Sequence, residues 1–246
     1  MTGTIDTEQL IGIISWPHFF HTWNVKDGMP EAERLKMEAL KFLESHIGQI
    51  SVRYKTDTFP VTHDDDDILV DGSDGCTVRI PFLRQQVVNE DGYCLCISDF
   101  IGKTMTIFAT TVSSSIHTDD PYLSLLLQTM SDRLAEAAAE RIAPGIRPAI
   151  GYPSIPDLSI NFLFDRLIDF EEIGIRLTEN GMMIPHASVT GILLDHPNAK
   201  YFSVGDIREE QRAKMDTIRK KMEEQRKALV SPEATKNLSE DKLLKY

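Results

Sequence analysis

Apolar positions recur at helical spacing in two long stretches. In "MPEAERLKMEALKFLESH", Leu35, Ala39, Phe42 and Leu43 follow Pro30, so Gly28 to His46 reads as a loop and then an amphipathic helix. The pattern is stronger in "TDDPYLSLLLQTMSDRLAEAAAERI", where Leu123, Leu126, Leu127, Met130, Leu134 and Ala138 form one apolar stripe. Asp119 or Asp120 can cap this helix, with Pro121 in its first turn. The opposite face carries Asp132, Glu136 and Glu140, spaced by four. Such a ridge reads as solvated unless something else places a site there.

Elsewhere the period drops to two. "QISVRYKTDTF" and "CTVRIPFL" alternate as half-buried strands do, with "THDDDDILVDGSDG" between them. "YCLCISDFI" and "MTIFATTV" read as further strands, Cys94 and Cys96 sharing one face of the first. The aspartates Asp64 to Asp67 lack the alternating ligand spacing and distal glutamate of a calcium loop, so they read as a solvated hairpin turn. "NFLFDRLIDFEEIG" is a short helix, and "SVTGILL" and "KYFSVGDI" around "DHPNA" form a hairpin. A charged helix from Ile207 to about Leu229 follows. Helices and antiparallel strands are segregated, which gives an α+β class: a twisted antiparallel sheet flanked by helices, one domain over 1–230 and a C-terminal tail over 231–246.

Composition narrows the function. At 246 residues and 41% apolar the chain can bury a sizeable core. Twenty-six Lys+Arg against 38 Asp+Glu give a net charge of -12, which repels a phosphate backbone and argues against nucleic acid as a partner. The basic run "RKKMEEQRKALV" has acids interleaved and reads as a solvated helix face or as a docking strip for an acidic partner. The start "MTGTIDTEQL" has no basic leader and no apolar run is long enough to span a bilayer, so the expectation is a soluble, cytoplasmic protein without a membrane partner. Three cysteines cannot make a disulfide framework; Cys94 and Cys96 read as buried structural residues. His18 and His21 in "WPHFFHTW" lack further ligands and read as part of an aromatic cluster.

The string Gly-x-Gly-x-x-Gly between strand and helix, the P-loop and the Gly-x-Ser-x-Gly elbow are all missing from the sequence. What remains is "GIRPAIGYP". Arg147, before Pro148, is biased to an extended backbone and can offer its fork to a carboxylate or phosphate. Gly151 allows close approach of the main chain, and Tyr152 offers a ring face to a cation or a flat group. That combination suits an amino-acid-like ligand; a structural loop with a surface arginine is the other reading.

"GIRPAIGYPSIPD", followed by "LTENGMMIPHASVTGILLDHPNAKYFSVGDI", resembles the S-adenosylmethionine-binding reactivation domain of cobalamin-dependent methionine synthase. "ISWPHFFHTW", "LRQQ", "CISDFI" and "SDRLAEAAAE" match successive segments of that family in order, from Ile14 to about Met222. The resemblance implies that Arg147 holds the S-adenosylmethionine carboxylate and that Tyr152, lying towards the corrin ring, is the candidate catalytic residue. Ala149, Gly151, Tyr201, Phe202, Ser15 and Glu136 join Arg147 as candidate cofactor-binding positions. The implied reaction is a reductive methylation of cobalamin held by a methionine synthase subunit in trans, with a flavodoxin-like reductant. In the alternative, the chain is a corrinoid-protein binding or assembly module without S-adenosylmethionine. The family has an acidic residue where this chain has Ser15, a longer segment before the arginine motif, and His-Thr-Glu-Lys where this chain has Leu158 to Asn161.

Overall fold

The computed structural model describes residues 1–88, 92–142 and 158–194, with 196, 198, 199, 202, 204, 205, 209, 213, 216, 217, 220 and 224. In chain order the elements are β1 (Thr2–Ile5), α1 (Thr7–Ile11), α2 (Trp16–Thr22), α3 (Pro30–His46), β2 (Ile50–Asp64), β3 (Asp67–Asp71), β4 (Thr77–Ile80), β5 (Thr104–Ser114), α4 (Pro121–Ile142), α5 (Ile160–Ile168), β6 (Arg176–Leu177), β7 (Met183–Ile184) and β8 (Ser188–Leu194). The main sheet runs β4-β3-β2-β5-β8, with β1 also on β2, and every pairing is antiparallel. The expected α+β class therefore holds.

Each face of this sheet carries its own core. Met105, Ile107 and Ala109 of β5 point to one side, where Ile160, Leu163 and Phe164 of α5 and Phe170 of the following 3₁₀ turn cover them. Val52 and Val112 point to the other, under α1 to α4. There α4 lies close to the strands because Ala135, Ala137 and Ala138 are buried, and Thr110 Oγ1 donates to the Ala135 carbonyl at 2.9 Å. The helix starts as its sequence indicates: Asp120 Oδ1 accepts from the backbone N–H of Tyr122 (2.8 Å) and Leu123 (3.2 Å). Its stripe begins at Leu126, however, since Leu123 is exposed. Helix α3 buries Leu35, Ala39, Phe42 and Leu43 as expected.

Several expectations need correction. "YCLC" is not a strand: Ile97–Phe100 form a 3₁₀ turn preceded by irregular chain. The Asp99 carboxylate explains why, because it accepts from the Cys96 N–H at 2.8 Å and from the Arg84 fork at 2.7 and 2.8 Å, folding the backbone around an ion pair. Only Cys96 of the two thiols is fully buried; burial pushes its pKa up, as for an inert core thiol. The aspartate run does make a turn, with Asp65 at φ 57, but Asp66 is buried and accepts from Arg84 Nε at 2.8 Å, so the turn is not wholly solvated. "ILVD", read as part of that connection, is strand β3. The N-terminal β1 had no counterpart in the sequence reading.

His18 and His21 lie on the exposed side of α2 and take no part in the aromatic cluster, which is built from Trp16, Phe19, Phe20 and Trp23. β8 pairs with β5. The second strand of the expected hairpin lies mostly outside the described residues, and Phe202, Val204 and Gly205 are not in a strand. Within the expected C-terminal helix, Glu209, Ala213, Asp216, Thr217, Lys220 and Glu224 are helical and exposed. The expected tail, 231–246, is outside the described residues. Among the described residues no helix is long and apolar enough to cross a membrane.

Candidate functional site

The "ASVTG" stretch at the start of β8 sits where several elements converge, and its small residues have steric causes. Ala187 is buried against the α4 side. Gly191 stands opposite Phe108 in the register; a Cβ there would come within 2.9 Å of the Phe108 ring. Thr190 Oγ1 donates to the Phe108 carbonyl at 2.7 Å. Ser188 Oγ donates to the Pro185 carbonyl at 2.7 Å and lies 2.8 Å from Thr111 Oγ1.

Beside this stretch, α4 presents Asp132, whose carboxylate lies 3.4 Å from His186 Nδ1, and Glu136, which pairs with Arg133 at 2.8 Å. The ridge expected to be solvated is thus half engaged at Asp132 and Glu136, while Glu140 is exposed. Ser15 is the N-cap residue of α2, yet its side chain makes no capping bond. Helix α2 is fastened to α4 by Trp23 Nε1, which donates to Thr129 Oγ1 at 3.2 Å. Next to it Tyr122 donates to Glu38 at 2.5 Å; burial and the Glu38 charge push its pKa up to about 12.

On the α5 side the sheet changes character along its strands. Past Ala109, the same face of β5 shows Thr111 and Ser113; directly paired with them are Arg53 and Ser51 on β2 and Ser188 on β8, while Thr4 of β1 pairs with Arg53. Paired residues share a face, so half of this face is lined by hydroxyls and one guanidinium. Sequence reasoning missed this surface because each strand contributes only one or two of its members.

Of the residues singled out in the sequence, Ser15 and Glu136 belong to the α4 side. Phe202 packs on the α5-side core, its ring 6.0 Å from that of Phe100. Arg147, Ala149, Gly151, Tyr152 and Tyr201 lie outside the described residues.

A family model described as "Vitamin B12 dependent methionine synthase, activation domain" matches residues 6–144 and 143–221. The chain belongs to this family. The solved structure described as "Crystal Structure of the MetH Reactivation Domain bound to AdoHcy" is similar to it with a TM-score of 0.75 and 27% identity, over 90% of this chain and 85% of that one.

Two of the activation-domain segments legible in the sequence prove to be one structural corner. Arg84 of "LRQQ" holds Asp99 of "CISDFI", and Arg84 NH1 also donates to the Cys94 carbonyl at 2.7 Å. The neighbouring Gln85 side chain accepts from the Leu95 N–H at 3.0 Å. The two matched pieces meet at residues 143–144.

Proposed function

We propose that this activation domain binds S-adenosylmethionine and presents its methyl group to cobalamin carried by a methionine synthase subunit acting in trans. The observation that carries the reading is the family match along most of the chain, together with a relative of the same fold that is bound to AdoHcy, which is S-adenosylmethionine without its methyl group. Cobalamin held by that subunit and reduced by a flavodoxin-like donor would supply the nucleophile that takes the sulfonium methyl as the methyl–sulfur bond breaks, leaving S-adenosylhomocysteine. Such a displacement depends on alignment rather than on a general base.

The proposal assigns Arg147 to the ligand carboxylate, Ala149 and Gly151 to ligand binding, and Tyr152 to alignment towards the corrin. It assigns Ser15 to the position of the family's acidic partner of the ligand's ammonium and takes Glu136, Tyr201 and Phe202 as further cofactor-binding residues, with Phe202 backed by Phe100. We assign 1–230 to the activation-domain unit and 231–246 to a segment beyond it.

Calorimetric titration with S-adenosylmethionine tests the binding step. Transfer of labelled methyl from S-adenosylmethionine to the cobalamin of a synthase lacking this domain, with reduced flavodoxin, tests the rest. Arg147→Ala should abolish transfer, whereas Tyr152→Phe should slow it with little change in affinity. Two observations favour a second reading, a corrinoid-protein binding or assembly module: Ser15 is neutral where the family is acidic, and the Glu136 carboxylate is already paired with Arg133. Binding of the cobalamin module with no heat from S-adenosylmethionine would select that reading.

A further inference from the structure

Arg53 is held on β2 between Thr4 and Thr111, on the polar half of the α5-side face. Its Nε is buried and has no hydrogen-bond partner among the described residues. Among the described residues the other half-buried arginines are engaged: Arg79 by Asp64 and Asp67, Arg84 by Asp66 and Asp99, Arg133 by Glu136. Arg53 enters no ion pair among the described residues, although the chain has 38 acidic side chains for 26 basic ones. The nearby Glu172 is taken by Lys55, the next residue along β2 on the same face, and by the Thr2 hydroxyl.

Its setting leaves the guanidinium room. Gly174, at φ +80, lies beneath it; a Cβ on that residue would come within 2.7 Å of NH2 and 3.0 Å of NH1. A guanidinium stays charged, and an unpaired, partly buried charge is costly. A buried polar group left unsatisfied in a native fold calls for a partner. The Thr111 and Ser188 hydroxyls are not rivals for an anion, since Ser188 donates to the Pro185 carbonyl and Thr111 and Ser188 bond each other.

We infer that Arg53 anchors an oxyanion site on this face, taking the paired oxygens of a small-molecule carboxylate or phosphate in its fork. Arg53 lies on the α5-side face, whereas Ser15 and Glu136 belong to the α4 side, so its fork is assigned a free carboxylate or phosphate and the inference does not rest on the proposed function.

The test uses the full chain as wild type, Arg53→Gln and Arg53→Lys, with urea midpoints to verify folding. Each is titrated with acetate and with inorganic phosphate, against sodium chloride of equal ionic strength. Arg53→Gln is expected to weaken the oxyanion-bearing ligand about ten- to a hundred-fold. Arg53→Lys, which keeps the charge without the fork, should fall between. Loss of acetate binding in Arg53→Gln identifies a carboxylate as a ligand of the fork, and loss of phosphate binding identifies a phosphate. Arg53→Gln matching wild type towards both ligands, or wild type binding neither, overturns the inference.

Discussion

Arg84 and Arg53 are two half-buried arginines in one small protein, and their surroundings are opposite. Around Arg84 the chain supplies Asp66, both oxygens of Asp99 and the Cys94 carbonyl. Around Arg53 it supplies a glycine, a lysine already paired, and hydroxyls already committed. The first arginine closes a corner of the fold; the second is held ready. The contrast separates charges that a structure consumes from charges that it offers.

Stability should divide the two most sharply. Arg84→Ala strands Asp66 and Asp99 and is expected to cost about 2–4 kcal/mol, somewhat below the loss for a fully buried pair because Arg84 is partly exposed. Arg53→Gln should change stability by no more than about 0.5 kcal/mol. Urea unfolding of both variants checks this, and a comparable loss at the two sites would erase the distinction. On the ligand side, Ser15→Asp adds a charge suited to an ammonium group. S-adenosylmethionine should bind about ten-fold tighter, as for one charge-assisted hydrogen bond, with the urea midpoint unmoved. An unchanged affinity removes Ser15 from the site.

Acid provides a finer test. Burial pushes the Asp99 pKa up, but the Arg84 fork and the Cys96 N–H outweigh it, and the net shift is downward. Its contribution is therefore full above the unfolded carboxylate pKa of about 3.9 and is lost as pH falls through the lower folded value. Asp99→Asn should flatten the stability profile over that acid window. Asp165 behaves oppositely: burial raises its pKa, despite the hydrogen bond from the Phe170 N–H at 2.8 Å. The folded state holds that proton longer, so ionisation weakens the fold as pH rises from the unfolded pKa through the folded one. Asp165→Asn keeps the acceptor oxygen and should give a small rise in stability at neutral pH, read by thermal or urea unfolding.

Much of this molecule was legible because its signals are local. The α4 stripe, its Asp120 cap and the β5 alternation depend on residues a few positions apart, and the ordered family segments pointed to the activation domain. What escaped depends on distant partners. The "YCLC" run alternates like a strand, but Arg84 and Asp99 decide its path. Strand β1, only "TGTI", is too short to read alone and exists by pairing with β2. The polar face is assembled from Thr4, Arg53, Thr111 and Ser188, residues far apart in the chain that only the strand register brings together. Nor does any motif around Arg53 announce that it enters no ion pair among the described residues. Arg147 and Tyr152 show the reverse case, plain in sequence and outside the described residues.

Strand β2 has a consequence for how the protein comes apart. Its 15 residues begin between β1 and β5, with Val52 in the α4-side core, and end against β3, with Phe59 and Val61 in the α5-side core. One continuous ribbon thus belongs to both cores, and neither half can melt while leaving the other's central strand intact. Hydrogen exchange along the β2–β5 ladder should then proceed only through whole-molecule opening, at a single free energy from end to end. The two sides of the sheet, however different their chemistry, would behave as one cooperative unit.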